Sequence, residues 1–502
     1  MPDTFTYNFD TAAYKGAVTI NTGLFIGGEW VDPIEGELIE IRNPATGEVI
    51  TKVAGGGKAD VDRAVQAAKK AYKTVWGLKT TGRERGKALA KLADLIEQNL
   101  DEFTALESLN VGKVYANAKH VDVTGTVTVL RYYAGWADKI HGKTMETGEN
   151  KFAYTRHEPY GVVGSIIPWN FPMNMLAWKI APAMACGNTV VLKPSEFTPL
   201  TALRLADLVN EAGFPPGTLN IVNGYGSSVG QAISEHMQIE KVAFTGSTLT
   251  GRRIMKAAAD SNLKAVTLEL GGKSPTIIFD DADLEQAIKW ACMGIFFNMG
   301  QVCTAGSRIF VQEGVYDKFL EHFTAAAKGL AEKTGDPFAS GTQHGPLVSQ
   351  AQFDRVMSYI KSGKEEGATV HTGGERHGDK GFFVQPTIFT DAHPGMKIVQ
   401  EEIFGPVGVV IKFKTEEEVI EQANDTIYGL ASHIFSENTS RAIRVAHAIE
   451  SGMVWVNCAN TVEVNVPFGG YKQSGNGREL GEYALETYTQ VKAVHINIGQ
   501  KL

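Results

Sequence analysis

Cysteine is scarce in this sequence. The 502 residues include four cysteines, none of which stands in a CxxC pair: Cys186, Cys292, Cys303 and Cys458. A disulfide framework and a cysteine-based zinc site both need paired, closely spaced cysteines. The sequence therefore predicts neither of them, and it predicts a chain that folds in a reducing compartment.

An excess of positive charge is also absent. Lysine and arginine number 48 against 56 aspartates and glutamates, which leaves a formal net charge of −8. Proteins whose main partner is nucleic acid normally carry a basic excess that neutralises phosphates. We therefore expect no nucleic-acid partner.

Long uninterrupted apolar runs are missing as well. The most apolar stretch, Gly161–Gly187, is broken by Pro168, Pro172 and Pro182 and contains Lys179. A membrane-spanning helix needs about 20 predominantly apolar residues, and a charge within it is costly. The first 23 residues contain neither an apolar core nor an arginine, unlike secretory and transit signals. The sequence thus predicts a soluble, cytoplasmic protein with no membrane partner.

The chain does contain a long alternation of strand-like and helical segments. Hydrophobic residues make up 43% and charged residues 21%, which are ordinary values for a globular protein and argue against disorder. Short strands are predicted in residues 24–50. From Gly161 to about Asn457 strands alternate with helices, which predicts an α/β fold with parallel sheets and a boundary near Gly271 and Gly272. Helices are predicted before this alternation, over Ala59–Tyr72, Arg83–Leu100 and Val121–Ile140.

The turn after the strand KVAFT lies between Gly246 and Gly251. A strand that leads through such a turn into a helix can bind a phosphate at the helix N-terminus. The two glycines are five positions apart, so the turn does not match the dinucleotide fingerprint. The alternative is an ordinary βα connection that needs glycine for its geometry. The segment GGKS is not a Walker A motif either, because Thr267 stands where the first glycine is needed.

Lys193 and Glu196 lie just past the end of the predicted strand TVVL. This edge is where open α/β sheets bind ligands. An acidic side chain there can accept both ribose hydroxyls of NAD and would repel the 2′-phosphate of NADP. The alternative is a solvated pair in a loop.

Three further residues have the chemistry of a catalytic site. Cys303 stands in the polar, glycine-rich segment GQVCTAG after an apolar helix, which predicts a reactive thiolate in a cleft, whereas the other cysteines are interpreted as small buried hydrophobes. Glu269 ends an apolar strand, as either a structural cap or a general base. Asn170 lies in a loop between prolines, as either a turn cap or an oxyanion donor.

Seven motifs follow one another along the chain: PWNFP, KPSE, FTGST, LELGGKSP, GQVCTAGSR, EEIFGP and PFGGYKQSGNGRELGEYAL. In this order they resemble the NAD-dependent aldehyde dehydrogenase superfamily, and within it the tetrameric, non-acylating class. The resemblance extends from about Leu24 to Val494. It implies oxidation of an aldehyde to the carboxylic acid with reduction of NAD, in a homotetramer built as a dimer of dimers.

The resemblance also implies how the chain divides. A Rossmann-like NAD-binding domain would comprise residues 1–139 and 160–271. An α/β catalytic domain would comprise residues 272–477. Residues 140–159 and 478–502 would form a small β oligomerisation element, since its unpaired strand edges need a partner.

By resemblance, Cys303 is the nucleophile and Glu269 the base that activates water. Asn170 would hold the oxyanion, while Lys179 and Glu479 match a proton path from Glu269. The thiol would form a thiohemiacetal, and loss of hydride would leave a thioester that water resolves without any metal. The residues matched to cofactor binding are Trp169, Lys193, Glu196, Gly246, Ser247, Glu402 and Phe404.

The positions matched to the family's substrate tunnel differ from its common members. Gly125 stands where many acetaldehyde-oxidising relatives carry a bulky side chain, Asn174 replaces a typical leucine, and Val462 stands where an aromatic residue is common. These differences predict a wide, partly polar entrance above an aromatic throat, and a broad or bulky range of aldehydes. The complete set is Gly125, Phe171, Asn174, Met175, Trp178, Phe297, Val302, Thr304, Asn460, Val462 and Phe468.

Three other functions are weighed against this one. In a CoA-acylating relative, CoA rather than water would resolve the thioester, and the presence of Glu269 argues against it. A catalytically silent structural protein would not need Cys303, Glu269 and Asn170 together. A cysteine hydrolase would need a paired histidine, and none stands in these motifs.

Overall fold

The computed structural model of the chain describes residues 3–34 and 36–502. The strands of this part of the chain are β1 (Thr4–Asp10), β2 (Lys15–Asn21), β3 (Leu24–Ile26), β4 (Glu29–Val31), β5 (Glu37–Arg42), β6 (Val49–Gly55), β7 (Thr144–Met145), β8 (Lys151–Pro159), β9 (Val162–Ile166), β10 (Thr189–Lys193), β11 (Leu219–Ile221), β12 (Lys241–Thr245), β13 (Ala265–Glu269), β14 (Pro275–Ile278), β15 (Arg308–Gln312), β16 (Thr369–Thr372), β17 (Thr387–Thr390), β18 (Val407–Phe413), β19 (Ala431–Phe435), β20 (Met453–Val456), β21 (Gly475–Asn476) and β22 (Thr489–Asn497).

Helices connect most of these strands. The α-helices are α1 (Lys58–Thr74), α2 (Gly82–Gln98), α3 (Leu100–Val111), α4 (Tyr115–Asn117), α5 (Thr124–Trp136), α6 (Pro172–Ala185), α7 (Leu200–Glu211), α8 (Gln231–Glu235), α9 (Thr248–Asp260), α10 (Leu284–Phe296), α11 (Tyr316–Ala331), α12 (Gln350–Glu365), α13 (Lys397–Gln400), α14 (Glu416–Asn424), α15 (Thr439–Ala448) and α16 (Tyr483–Thr487). The π-helical turns are Ala118–Val123 and Gly226–Gly230, and the 3₁₀ turns are Phe297–Gly300, Glu313–Val315 and Lys472–Ser474. Among the helices of the described residues, none is both long enough and apolar enough to cross a bilayer.

The first large sheet has the strand order β21-β13-β12-β9-β10-β11-β3-β4. Neighbouring strands from β13 to β11 run parallel, and antiparallel strands flank them on both sides. Strands β9 and β10 are buried at every position, as expected for parallel strands covered by helices on both faces.

The second large sheet has the order β16-β17-β18-β15-β14-β19-β20, in which only β16 runs antiparallel to its neighbour. The two parallel sheets confirm the predicted α/β fold. The first sheet's parallel strands end at Glu269 and the second sheet's first strand begins at Pro275, so the connection passes through Gly271 and Gly272.

A third, small sheet joins β22 to β8 and β7. Strands β22 and β8 pair over nine residues, from Thr489 opposite Pro159 to Asn497 opposite Lys151. Most side chains of β22 are exposed, so this sheet has little apolar surface packed on the rest of the described chain.

Local sequence explains where several helices begin. Helix α2 begins with a capping box, in which the Glu84 N–H donates to Thr81 Oγ1 at 3.3 Å and the Thr81 N–H donates to Glu84 Oε2 at 2.9 Å. Such a box satisfies two backbone donors that the helix itself leaves unpaired. The predicted helix over Ala59–Tyr72 is confirmed as α1, and that over Val121–Ile140 is a π-helical turn followed by α5.

Helix α3 was not predicted from the sequence. Every residue from Phe103 to Val111 is buried, including Glu107 and Asn110. An all-buried helix has no polar face, so it lacks the alternation of polar and apolar residues that identifies amphipathic helices. Its presence depends on helices and loops that enclose it on all sides.

The carboxyl ends of the parallel strands bring the candidate site residues to one edge of the first sheet. Asn170 follows β9, Lys193 ends β10, Gly246 follows β12 and Glu269 ends β13. Strands that run parallel and pair in register end at the same edge. This topology places residues that are far apart in sequence around one crevice.

A buried ion pair supports the loop that carries Asn170. Lys113 Nζ donates to Asp122 Oδ1 at 2.7 Å and to the main-chain oxygen of Asn170 at 3.0 Å. Both charged side chains are fully buried. Glu107 lies beside this pair, and burial, followed by the charge of Asp122, raises its pKa to about 8.

Replacing Lys113 tests how much this ion pair contributes. Lys113→Met leaves the Asp122 carboxylate buried without its partner, and we expect the free energy of unfolding to fall by about 3–5 kcal/mol. Lys119→Met is the matched control, because Lys119 pairs with Asp101 on the exposed surface and such pairs contribute about 0–1 kcal/mol. Urea unfolding followed by tryptophan fluorescence measures both changes. Equal losses in the two variants would contradict the structural role of Lys113.

Candidate active site

A cavity of about 510 Å³ lies at the carboxyl edge of the first sheet, where the second sheet and the C-terminal loops close over it. Its wall contains all eleven predicted tunnel residues, together with Cys303, Glu269, Asn170 and Glu479. Of the predicted cofactor residues it contains Trp169, Gly246, Ser247, Glu402 and Phe404. The predicted residues outside this wall are Lys179, Lys193 and Glu196.

Cys303 lies just after a tightly turned segment of backbone. Asn298, Met299 and Gly300 all have positive φ, at 47°, 55° and 69°. A side chain on Gly300 would overlap the main chain of Gly405, so glycine is required for this turn to pack. The turn ends helix α10 abruptly and places the Cys303 thiol at the cavity wall.

The thiol is not acidic in the protein alone. Burial, followed by the nearby charges of Glu269 and Glu402, raises the pKa of Cys303. The sequence predicted a reactive thiolate, and in the protein alone this burial favours the neutral thiol. Before the thiol reacts, a base must therefore remove its proton, or a nearby positive charge must stabilise the thiolate.

Glu269 is a buried acid without a fixed partner. Neither of its carboxyl oxygens has a hydrogen-bond partner within the described residues. Burial, and then the charge of Glu479, raises the pKa of Glu269 well above its ordinary value. A carboxyl group that is buried, raised in pKa and directed into a cavity has the properties of a general base.

Asn170 is held by the loop that carries the nucleophile. Its Nδ2 donates to the main-chain oxygen of Gln301 at 2.9 Å. Lys113 Nζ and Asn298 Nδ2 both donate to the main-chain oxygen of Asn170, at 3.0 and 3.2 Å. These bonds fix the side-chain amide beside Cys303 and engage one of its two N–H groups.

A chain of buried polar groups leads away from Glu269. Lys179 Nζ donates to Thr245 Oγ1 at 2.6 Å and also to Glu479 Oε1. Below them Lys241 Nζ donates to Thr267 Oγ1 at 2.9 Å. Burial, followed by the charge of Lys179, lowers the pKa of Lys241 to about 7. The sequence analysis did not identify Lys241, because a lysine that opens a strand resembles a solvent-exposed flank.

Lys193 and Glu196 form an ion pair at the sheet edge, with 3.2 Å between Nζ and Oε2. Burial lowers the pKa of Lys193, and Glu196 is the more exposed of the two. Ser247 is the N-cap of helix α9, where its Oγ accepts from the Thr250 N–H at 3.3 Å. The N-cap residue Ser247 and its neighbour Gly246 line the cavity, so this helix begins at the cavity wall.

Glu402 and Phe404 reach the cavity from the second sheet. Glu402 Oε1 accepts from the Gly272 N–H at 3.1 Å, and burial raises the pKa of Glu402 to about 7. The Phe404 ring lies perpendicular to the Trp169 ring, with 5.2 Å between centroids.

Two residues that hold this segment were missed in the sequence. Gln352 Nε2 donates to the Phe404 main-chain oxygen at 2.7 Å, and Arg355 Nη2 donates to that of Glu402 at 2.9 Å. Both residues line the cavity. They lie on α12, whose sequence has the pattern of an ordinary amphipathic helix and no other distinguishing feature.

The tunnel wall combines aromatic rings with a few polar groups. Trp178 packs edge-on against Phe468, with 4.9 Å between centroids. Thr304 Oγ1 donates to Asn460 Oδ1 at 2.8 Å, so the residue after the nucleophile is tied to the mouth of the tunnel.

Gly125 does not leave the open space that the sequence suggested. A Cβ atom at this position would lie 2.6 Å from Asn174 Oδ1, which occupies the room that a side chain would take. The glycine and the asparagine therefore fit each other.

Known proteins similar to this one match it over essentially its whole length. The family model described as "Aldehyde dehydrogenase family" matches residues 30–494. An aldehyde dehydrogenase of Agaricus bisporus is 62% identical over 502 residues, which is 100% of both chains. One of Emericella nidulans is 56% identical over 480 residues, or 96% of each chain.

The solved structures agree with this result. The NAD+ complex of an aldehyde dehydrogenase from Bacillus cereus superposes with a TM-score of 0.94 at 50% identity, and the match covers 95% of this chain and 97% of that one. The predicted family is thereby confirmed. With a family model and full-length relatives in agreement, the chain belongs to the aldehyde dehydrogenase family.

Proposed function

We propose that this enzyme oxidises an aldehyde to the carboxylic acid, with NAD as cofactor, through a covalent intermediate on Cys303. One observation carries this proposal. A thiol, an unpartnered buried carboxyl group and a side-chain amide come from three separate segments and meet in the wall of one cavity. Nucleophile, base and oxyanion donor are the groups that acyl chemistry on a thiol requires.

The first step is addition of the Cys303 sulfur to the aldehyde carbon. The thiol proton leaves as the carbon–sulfur bond forms, and Glu269 is the acceptor in the same cavity. The carbonyl oxygen gains negative charge, which the free N–H of the Asn170 amide and the main-chain N–H of Cys303 stabilise. The product of this step is a thiohemiacetal.

The residues present fit NAD. The N-terminus of α9, which meets the cavity wall at Gly246 and Ser247, suits a pyrophosphate. Lys193 and Glu196 would hold the adenosine ribose, and the Glu402 carboxyl group would hold the nicotinamide ribose. Trp169 and Phe404 would contact the nicotinamide from the side. When bound, NAD supplies the hydride acceptor that turns the thiohemiacetal into a thioester.

Water then releases the acid. Glu269 accepts a proton from the water as its oxygen attacks the thioester carbon, and the carbon–sulfur bond breaks. Glu479 and Lys179, which are paired with each other, would form the buried route along which this proton leaves Glu269. A base within reach explains why water, rather than CoA, resolves the thioester.

The division of the chain and its assembly are also proposals. The first sheet supports an NAD-binding domain of residues 1–139 and 160–271, and the second supports a catalytic domain of residues 272–477. The small sheet of residues 140–159 and 478–502 has an exposed strand β22 at its edge. Such an edge pairs readily with a second chain, which supports a homotetramer, and we further propose a cytoplasmic location.

The nucleophile is tested by alanine substitution. Cys303→Ala removes the sulfur that forms the covalent intermediate, so we expect loss of aldehyde oxidation with NAD binding retained. NADH absorbance measures the first, and titration calorimetry measures the second. Cys292→Ala is the matched control, because Cys292 packs in an apolar cluster of the second sheet. Substantial turnover in Cys303→Ala would contradict the assignment.

The base is tested by Glu269→Gln. Acylation should survive in part, so we expect a burst of up to about one NADH per active subunit, followed by turnover slowed roughly 10²–10⁴-fold. The trapped acyl group should appear as a mass increase on the peptide that contains Cys303. Near-normal steady-state turnover without an acyl adduct would show that another group activates the water.

The pH profile gives a second test of Glu269. Since its pKa is raised, the carboxyl group is protonated and inactive as a base until the pH exceeds that raised value. We expect the deacylation rate of the wild-type enzyme to rise with pH over a range above the ordinary titration of glutamate. In Glu269→Gln this rise should disappear, and a rise that persists would assign the titration to another group.

The choice of cofactor is tested at Glu196. Its carboxylate would oppose the 2′-phosphate of NADP at a cost of about 1–3 kcal/mol, so we expect kcat/KM to favour NAD roughly 5- to 150-fold. Glu196→Gln should narrow the difference, while Glu211→Gln, on the exposed end of α7, should not. Equal kcat/KM for the two cofactors in the wild-type enzyme would refute this role.

A further inference from the structure

The side-chain amide of Asn174 has a fixed orientation in the tunnel wall. It lies in the first turn of α6, and its Nδ2 donates to the main-chain oxygen of Val121 at 3.0 Å. A carbonyl oxygen can only accept, so the NH₂ end of the amide must face Val121. The carbonyl end, Oδ1, is therefore directed away from that contact.

Asn174 Oδ1 is an acceptor without a donor. It takes no hydrogen bond within residues 3–34 and 36–502, and it is not one of the sealed polar atoms of the interior. Both Asn174 and its neighbour Gly125 line the cavity. Because a Cβ at Gly125 would lie 2.6 Å from Oδ1, the glycine is what allows the amide to stand where it does.

Four other polar side chains of the wall are already engaged. Thr304 donates to Asn460, and Asn460 Nδ2 donates to a main-chain oxygen of α10 at 3.3 Å. The hydroxyls of Thr124 and Thr128 donate to main-chain oxygens one turn earlier, at 2.8 and 3.0 Å. Asn174 thus offers a fixed, unused acceptor beside these satisfied groups.

The surrounding wall suits a flat and uncharged ring. Phe171 stacks against Phe297, with 6.2 Å between centroids, and Trp178 packs against Phe468. Lys113, which is fully buried outside the cavity wall, places its ammonium 3.8 Å from the Phe171 centroid. This ammonium, which is paired with Asp122, already uses the Phe171 π system and leaves it less available to a cationic substrate. The wall thus favours a neutral donor at Asn174.

We propose that Asn174 is a specificity-determining residue, whose Oδ1 accepts a hydrogen bond from an aromatic aldehyde with a neutral donor on its ring. A phenolic hydroxyl and a ring N–H have the same chemistry in this respect. The inference rests on the proposed oxidation of aldehydes in this cavity. It adds the ring donor as the feature by which the enzyme separates substrates of similar size.

Kinetics with matched substrates test the proposal. In the wild-type enzyme, kcat/KM should be higher for 4-hydroxyphenylacetaldehyde than for phenylacetaldehyde and 4-methoxyphenylacetaldehyde, which lack the donor. Asn174→Leu should lower the hydroxyl-to-hydrogen ratio about 3- to 12-fold, the range expected for one uncharged hydrogen bond. The ratio within each variant is the measurement, so a general change in rate does not affect it.

Two further variants keep the test decisive. Gly125→Ala leaves Asn174 in place but displaces its amide, and it should lower the same ratio. Thr128→Val removes a neighbouring hydroxyl that is already engaged, and it should leave the ratio unchanged. A ratio that stays within twofold of the wild-type value in both Asn174→Leu and Gly125→Ala would overturn the proposal.

A binding measurement separates this proposal from the proposed function. In Cys303→Ala with NAD present, 4-hydroxyphenylacetate should bind more tightly than phenylacetate by a similar ratio, and Asn174→Leu should remove the difference. If the expected ratio of affinities is found but the wild-type enzyme does not oxidise aldehydes, the proposed function is wrong and the role of Asn174 as an acceptor stands. If turnover is normal but the two carboxylates bind with equal affinity, only the role of Asn174 as an acceptor is wrong.

Indole-3-acetaldehyde and its 1-methyl derivative decide between the two donors. If N-methylation lowers kcat/KM in the wild-type enzyme but not in Asn174→Leu, the acceptor is assigned to a ring N–H. A preference confined to the phenol pair would assign it to a hydroxyl.

Discussion

The main chain at Gly271 and Gly272 passes so close to its neighbours that no side chain fits at either position. A Cβ on Gly271 would overlap the Glu402 carboxyl group, and one on Gly272 would overlap the main-chain oxygen of Cys303. This segment is also the connection between the two parallel sheets. The close approach lets a strand end of the first sheet, the nucleophile and a carboxyl group of the second sheet share one cavity.

Bringing these groups together removes them from water. Burial is the largest cause of the raised pKa of Cys303, Glu269 and Glu402, and it lowers the pKa of Lys241 on the far side of the strand pair. Burial therefore favours the neutral form of these four groups. The reactivity of these groups therefore depends on which neighbouring group can accept or donate each proton.

The wall of the cavity divides its polar groups between structure and substrate. Lys113 and Asp122 neutralise each other beneath the Asn170 loop, and the Lys113 ammonium also holds that loop through a main-chain oxygen. Thr304 and Asn460 satisfy each other at the mouth. What remains for a substrate, besides the catalytic groups, is an aromatic surface with an unused acceptor at Asn174. Rigidity and selectivity thus come from the same hydrogen-bond network.

The sequence by itself determined the α/β class, most helices and strands from Ala59 onward, and the family, because periodicity and motifs are local properties of the chain. Cys303, Glu269 and Asn170 were predicted in the same way, each within a few residues of a recognisable strand or loop, and the fold brings them to one cavity. Helix α3, Lys113, Lys241 and Arg355 were not, since their side chains matter only through partners distant in sequence. The tertiary structure also decided the use of Gly125, which looked like an opening but makes room for the Asn174 amide. Burial and contact between remote segments set both the pKa values and the shape of the tunnel, and neither quantity exists until the chain has folded.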